Sequence, residues 1–389
     1  MEEKKEVCYV IAAKIGTPGI GKIAYYALKG LEKSKINYKA FCRGYSYYLD
    51  INKKRITNYI FLEYLSYPLR FIEKMLKMNI DSFKIVNSLF SWIVFLNIPK
   101  TRIYHSWIGV GKDAAKKSKK EGAILILEGA NSHPLNILKI LKEDYKKYLS
   151  SEKIKKIEEN LKKEAEFIRI FDYILCPSNF VYNSFLKEGF RREQLILLPY
   201  GVDINDFSPK KEKKDKIFRA IFVGSVQLRK GVHYLLQAWD KLKLKNAELL
   251  IVGRIWPDAK EAIKKYKNNK TIKFIGFANP KEYYKKSDVF VFPSLEEGSA
   301  LVTYEAMASG LPIITTFNSG SIARNGKEGF IVPIRDVKAL KKRILYFYKN
   351  PEVAEKMGKA ARKRVENFTW EKYGENLVKA YKKILKKNK

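Results

Sequence analysis

The run VFPSLEEGSALVTYEAMASGLPIITT, from Val291 to Thr316, constrains the fold more than any other stretch of the 389 residues. The apolar segment from Asp288 to Phe292 reads as a strand, Glu296, Glu297 and Gly298 as a turn, and the residues through Glu305 to Ala308 as a short helix stopped at Gly310. A second apolar strand starts at Pro312, which completes one strand, helix, strand unit of a parallel sheet. Ligands of such sheets lie beyond the carboxyl ends of the strands, so the Glu297 turn falls where a ligand is met. The helix, expected to begin near Ser299, points backbone N–H groups and the positive end of its dipole at that place, which suits a phosphate. A carboxylate is repelled by a phosphate, so Glu297 and Glu305 are read as acceptors for neutral sugar hydroxyls. The plainer alternative makes both of them solvated acids at a helix start.

The same alternation recurs along the chain. Apolar runs at 7–13, 38–42, 102–105, 123–128, 173–176 and 195–198 read as strands, most of them followed by helical stretches. From Leu198 to Lys216 the composition turns to Pro, Gly and Asp and then to a charge run, as at a domain boundary. Strands resume at 217–223, 248–252, 272–274, 288–292 and 313–315, and the chain ends in helices at 337–348, 351–365 and 369–386. A chain of this length exceeds what one core usually supports, so the expectation is an α/β protein of two domains with mainly parallel sheets.

Two turns carry the groups a phosphate needs. Strand 7–13 runs into KIGTPGIGK, where Gly19 and Gly21 let backbone N–H groups approach an oxyanion. Gly16 to Lys22 also fits GxxxxGK, but Ile23 stands where a nucleoside triphosphatase places Ser or Thr for Mg²⁺, and a plain tight turn is the alternative. After strand 217–223, the turn GSVQLRKG carries Arg229 and Lys230, a fork and a point charge suited to a diphosphate. Of three histidines, His133 ranks first because it follows the strand AILILE in the turn GANSHP; His105 ends an earlier strand and competes for the same role.

The net charge of +36 implies attraction to a polyanion, whether nucleic acid, an anionic membrane face or a phosphorylated substrate. No RRM, KH or helix-turn-helix signature accompanies it, so nucleic acid is not the expected partner. Between Tyr59 and Ile80, aromatics interleave with Arg and Lys; a helix pair packed on the sheet and broken at Pro68 is favoured over a segment lying on a membrane. Cys8, Cys42 and Cys176 lie in apolar contexts without CxxC spacing and read as buried thiols of a reducing compartment. The longest apolar run, Leu89 to Leu96, is far short of the roughly 20 residues that span a bilayer, and MEEKKE does not open a leader pattern. A cytoplasmic placement is expected, with peripheral contact at the cytoplasmic face of an anionic membrane as its variant.

EEGSALVTYEAMASGLPIITT resembles the signature of the family 4 retaining glycosyltransferases (glycosyl transferases group 1), in which two Glu eight positions apart precede AMA-x-G-x-P. CPSNFV at 176–181, LPYGVDINDF at 198–207, VGSVQLRKG at 223–231, DVFVFPS at 288–294 and FTWEKY support it, covering the second domain well and the first thinly. The resemblance implies a GT-B fold, two Rossmann-like domains facing across a cleft. Residues 1–200 would form the acceptor side, completed by a C-terminal helix at 369–389; 201–216 would be the linker, and 217–368 the nucleotide-sugar domain. It implies a nucleotide diphosphate sugar as donor, with no cofactor and no metal, and a sugar or lipid-linked acceptor. Arg229 and Lys230 would lie on the diphosphate, Glu305 on the ribose, Glu297 at the sugar hydroxyls, and backbone N–H groups of Ser299, Ala300 and Leu301 near sugar or phosphate. Gly19 and Gly21 would complete the donor site, and His133 matches the histidine placed beside the transferred sugar. Two departures stand out: Ser299 and Ala300 replace the family's bulky residue and Gly, and Ser225 stands where an Arg often follows Gly224. An epimerase or phosphorylase on the same architecture is the nearest alternative. A dinucleotide oxidoreductase is the weakest, because no GxGxxG follows either domain's first strand.

Overall fold

The computed structural model describes residues 6–46, 48–75, 82–209 and 215–388. In the first half, seven strands pair in parallel: β1 (Val7–Ile15), β2 (Tyr38–Tyr45), β3 (Ile56–Asn58), β4 (Ile103–Trp107), β5 (Ile124–Glu128), β6 (Tyr173–Cys176) and β7 (Leu195–Leu197). Their order across the sheet is β3-β2-β1-β4-β5-β6-β7. Helices α1 (Ile20–Lys33), α2 (Phe61–Met75), α3 (Ser82–Asn97), α4 (Lys112–Lys120), α5 (Pro134–Tyr148), α6 (Ser151–Ile168) and α7 (Asn179–Lys187) connect them. The second half repeats the plan with β8 (Phe218–Val223), β9 (Ala247–Val252), β10 (Ile272–Gly276), β11 (Val289–Phe292), β12 (Ile313–Thr316) and β13 (Gly329–Val332) in the order β10-β9-β8-β11-β12-β13. Its helices are α8 (Val232–Leu242), α9 (Lys260–Ile263), α10 (Lys281–Lys286), α11 (Leu301–Ala308), α12 (Val337–Lys349) and α13 (Pro351–Val365). In both sheets the direction of winding reverses beside the first strand, between β1 and β4 and between β8 and β11, and a crevice opens there at the carboxyl edge.

Continuous apolar strands such as ILILE in β5 and VFVF in β11 are buried on both faces, as helices on either side of a parallel sheet require. The edge strands β3 and β13 were not expected from the sequence. ITN is too short and polar, and GFIV opens on a glycine, so neither stands out from its loop. Pro68 does not break the helical segment as expected; α2 runs through it from Phe61 to Met75. The ring removes the bond to the Tyr64 carbonyl, but Tyr64 and Pro68 both face solvent, where water replaces that bond.

The last helix, α14 (Trp370–Lys387), leaves the second domain and packs Trp370, Tyr373, Leu377, Tyr381 and Ile384 into the core of the first. Trp370 stacks on Tyr26 of α1 with ring centroids 5.0 Å apart, and a Cβ on Gly30 would lie 2.8 Å from the Gly374 backbone. Beneath α14, His105 is fully buried: Nδ1 meets the Tyr381 hydroxyl and Nε2 lies 3.2 Å from the Glu128 carboxylate, which also accepts from Tyr200 (3.2 Å) and Tyr373 (3.4 Å). The three cysteines are buried and free, and burial pushes the Cys42 thiol up to about 12. No helix among the described residues is long and apolar enough to cross a membrane.

Gly30→Val should unfold at lower urea, by about 2 kcal/mol. The overpacked contact with Gly374 costs about 1–3 kcal/mol, and the better helix propensity of Val offsets only a few tenths. An unchanged midpoint would show that α14 does not close on α1 at this point.

Candidate active site

The cations after β8 and the acids after β11 meet because their strands are neighbours at the switch point. Leu228 to Lys230 form one short turn that closes at Gly231, in the left-handed region at φ 66°. A Cβ there would fall 2.0 Å from the Pro293 carbonyl oxygen, so only glycine lets the turn lie against the end of β11. Leu295 N–H donates to the Arg229 carbonyl at 2.9 Å, which ties the two turns together.

Arg229 Nη1 lies 2.9 Å from the Glu296 carbonyl, 3.1 Å from Glu296 Oε2 and 3.0 Å from Glu297 Oε1. Lys230 Nζ closes on the same Glu297 oxygen and sits 5.5 Å from the centre of the Phe292 ring. Burial would raise the Glu297 carboxyl, but Arg229 and Lys230 outweigh it and hold it below the usual carboxylate value. For Lys230 the balance is reversed: burial pulls the ammonium down more than Glu297 lifts it. Glu297 and Arg229 are therefore firmly charged, and the ammonium of Lys230 is the softer member of the cluster.

Helix α11 starts at Leu301, two residues later than expected. Ala300 is extended (φ −67°, ψ 104°), which makes it the cap residue and not the first residue of the helix, and its N–H is held by the Ser319 carbonyl at 3.0 Å. The Ser299 hydroxyl turns inward, donating to the Gly320 carbonyl at 3.0 Å and meeting the Tyr304 hydroxyl at 2.9 Å. Leu301, Val302 and Glu305 instead line a cavity of about 1200 Å³ between the domains. Its first-domain wall includes Gly19, Lys22 and Tyr26, and its second-domain wall Gly224, Arg254 and Trp256. Gly19 has φ 81° with nothing within 4 Å of a Cβ, so its backbone conformation selects glycine there. Gly21 is a packing residue: a Cβ would meet the Lys14 carbonyl oxygen at 2.2 Å. Glu305 accepts from the Tyr284 hydroxyl at 3.3 Å, and burial pushes its carboxyl up against the opposing pull of Lys22, Tyr284 and Lys281.

His133 is also fully buried, packed edge-on against Phe185 with ring centroids 5.3 Å apart. It caps α5 by accepting from Leu135 N–H at 3.3 Å through Nδ1, while Nε2 has no hydrogen-bond partner. Burial and the nearby Arg169 bring its pKa down to about 4, so it is neutral at pH 7. Neither His133 nor the cluster of Arg229, Lys230 and Glu297 lines the large cavity; the cluster sits where the two domains touch, while His133 packs on Ser184, Phe185 and Phe190 inside the first domain.

That contact was not legible in the sequence. Glu296 Oε1 accepts from both the N–H and the hydroxyl of Ser132, each at 3.0 Å. Ser178 donates to the Gly298 carbonyl at 2.6 Å, and a Cβ on Gly298 would fall 1.6 Å from the Ala130 oxygen. Farther out, Asp144 of α5 takes bonds from Arg335 (2.6 Å and 2.9 Å) and Tyr234 (2.5 Å), with His233 Nε2 at 3.4 Å. Burial opposes ionisation of Asp144, but these three partners bring its pKa to about 2. Among the described residues no group of three His, Cys, Asp or Glu is placed to hold a metal ion.

Two parallel-sheet domains facing across a cleft, with a final helix returning to the first, define the GT-B fold. Residues 203–364 match the family model of glycosyl transferases group 1. It is 32% identical over 176 residues to the capsular polysaccharide biosynthesis glycosyltransferase CapM of Staphylococcus aureus, covering 43% of this chain and 46% of that protein. The chain spans about half the length of the curated relatives it matches. Over nearly its whole length it superposes on sucrose-phosphate synthase from Thermosynechococcus elongatus (TM-score 0.72, 19% identity, 98% and 99% of the two chains). It also superposes on Anabaena HepE crystallised with UDP and glucose (TM-score 0.66, 13% identity, 97% and 100%).

An acid whose folded pKa is raised stabilises the fold only while protonated. That contribution is full below the ordinary value of 4.5 and is lost as pH rises through the raised value. Glu305→Gln stays neutral throughout, so at pH 7 it should melt a few degrees above wild type, with the gap closing toward about pH 4. Equal melting temperatures at pH 7 would remove the case that Glu305 is a strained, buried carboxylate.

Proposed function

We propose that the protein moves a hexose-type sugar from a nucleotide diphosphate sugar to an acceptor hydroxyl, with retention at the anomeric carbon, in the cytoplasm and in the service of cell-surface glycan or glycolipid synthesis. The observation that carries this reading is the convergence of Arg229, Lys230, Glu297 and the start of α11 at one sheet edge, beside a cleft into which Glu305 projects. The match of residues 203–364 to glycosyl transferases group 1 and the CapM similarity support glycosyl transfer, and the neighbour crystallised with UDP and glucose supports a nucleotide-sugar donor.

In this reading the nucleoside lies in the large cavity with Glu305 on its ribose, and the diphosphate reaches toward Arg229 and Lys230. As the bond from the anomeric carbon to the diphosphate oxygen breaks, negative charge grows on the leaving oxygen, and the two cations and the α11 backbone stabilise it without a metal. Glu297, drawn off the cations, accepts hydrogen bonds from the sugar hydroxyls, and His133 would reach the same sugar through Nε2 once the side chains that bury it part. The acceptor oxygen bonds to the anomeric carbon on the face the diphosphate leaves, and its proton passes to the departing phosphate oxygen. Contacts between Ala130–Ser132 and Glu296–Gly298 exclude water, which would otherwise hydrolyse the donor.

Screening UDP-, GDP- and ADP-sugars by thermal unfolding should find one family of donors that raises the melting temperature. With that donor, Lys230→Ala should lose at least about 100-fold in kcat, the scale of one lost transition-state donor, and EDTA should leave the rate unchanged. No stabilisation by any nucleotide sugar, or full activity in Lys230→Ala, would overturn the reading.

A further inference from the structure

Among the described side chains, α2 and α3 carry large apolar groups on the face turned away from the core as well as on the face turned toward it. Their inner faces place Leu62, Val86, Phe90 and Val94 in the first core. On the outer face of α2, Phe61, Tyr64, Tyr67 and Phe71 are each more than half exposed, and α3 adds Trp92, 58% exposed, and Leu96. A helix that packs on a globular core ordinarily turns charged residues to water, so a run of aromatic rings this size marks an interaction surface. The sequence of α3, SFKIVNSLFSWIVFLN, contains no acid, and Glu63 of α2 is held by Arg43 at 3.1 Å.

Lysines of α4 lie beside the end of α3. Lys117 of α4 donates to the Phe95 carbonyl at the end of α3 (3.4 Å) and lies 5.5 Å from the Phe95 ring. Its helix, KDAAKKSKK, exposes Lys112, Lys116 and Lys120 beside that contact. Rings that reach the headgroup boundary, with cations alongside, suit a lipid surface of negative charge. A second copy of the chain fits less well, because each copy carries +36 and repels the other.

We propose that the outer face of α2 and α3, flanked by α4, docks the protein on an anionic lipid bilayer. Phe61, Tyr64, Tyr67, Phe71 and Trp92 enter the headgroup boundary, and the α4 lysines face acidic headgroups. Docking does not depend on the donor reading. Its consequence for the acceptor does: Tyr48 and Leu49, on the loop from β2 to β3 in the same domain, line the large cavity, so a docked bilayer presents a lipid-borne acceptor at the first-domain rim.

Co-sedimentation with vesicles tests the proposal. Wild type should pellet with equimolar phosphatidylglycerol and phosphatidylcholine at least about tenfold more than with phosphatidylcholine alone, and less so as salt rises from about 0.1 to about 0.5 M. Lipids brominated in the acyl chain should quench wild-type tryptophan fluorescence and quench Trp92→Phe markedly less. The double variant Tyr67→Glu with Trp92→Glu should lose at least about tenfold in binding while its melting temperature and its stabilisation by the donor stay at wild-type values. Absence of wild-type binding to the anionic vesicles, quenching that does not depend on Trp92, or equal binding by the double variant would overturn the proposal. A concentration-dependent dimer that the double variant abolishes, without vesicle binding, would instead assign the face to self-association and equally overturn it. Vesicle binding with no response to any nucleotide sugar would leave docking standing and overturn only the donor reading.

Discussion

The ion cluster of Arg229, Lys230, Glu296 and Glu297 is the interaction on which the rest of the site depends. Removing isolated charges from water costs several kcal/mol each, so Glu296 and Glu297 can be buried only because they meet the part-buried Arg229 and Lys230 within hydrogen-bonding distance. The pairing fixes the two turns that follow β8 and β11, and those turns set where α11 begins and therefore where Glu305 enters the cleft. The cluster is also neutral overall, two cations against two carboxylates. In the proposed reaction a diphosphate would bind there by competing with Glu297 for the cations, and the displaced carboxylate would become available to the sugar.

The cluster also joins the domains. Glu296 divides its carboxylate between Arg229 of the second domain and Ser132 of the first, so the same charges that organise the turns after β8 and β11 hold the first domain against them. Gly298 and Ala130 approach backbone to backbone, which no side chain at Gly298 would permit. Asp144, bonded to Arg335 and Tyr234, repeats this logic away from the chemistry with its own buried charge. A closed, dry interface in which small polar groups are matched one to one is what protects a reactive donor from water.

Much of this architecture is legible in the sequence because a parallel sheet buried on both faces writes its strands as unbroken apolar runs; β5, β6, β9 and β11 are of this kind. The edge strands β3 and β13 bury less and carry no such run. Pro68 misleads because the rule against proline in helices concerns the lost hydrogen bond, and at a solvent-facing carbonyl water supplies it. At the site, turn composition was enough to single out Arg229, Lys230, Glu297 and Glu305. Their mutual pairing was not, since Lys230 and Glu297 are 67 residues apart and Asp144 and Arg335 191 apart, and nothing local records such contacts. Ser299 shows the same gap: its place beside the helix start was readable, but the inward turn of its hydroxyl depends on Gly320 and Tyr304. Among the three buried histidines, His105 and His133 differ in a way position alone does not reveal, His105 held under α14 beside Glu128 and His133 capping α5 against Phe185.

Competition for the cations is measured most directly by calorimetric titration of Glu297→Gln with the nucleoside diphosphate of the preferred donor. With the carboxylate neutralised and its shape kept, Arg229 and Lys230 lose their competitor, so the diphosphate should bind about tenfold or more tighter than to wild type while sugar transfer collapses. Unchanged or weaker binding would mean that Glu297 does not hold the cations against the diphosphate, and would contradict the account of the site at its centre.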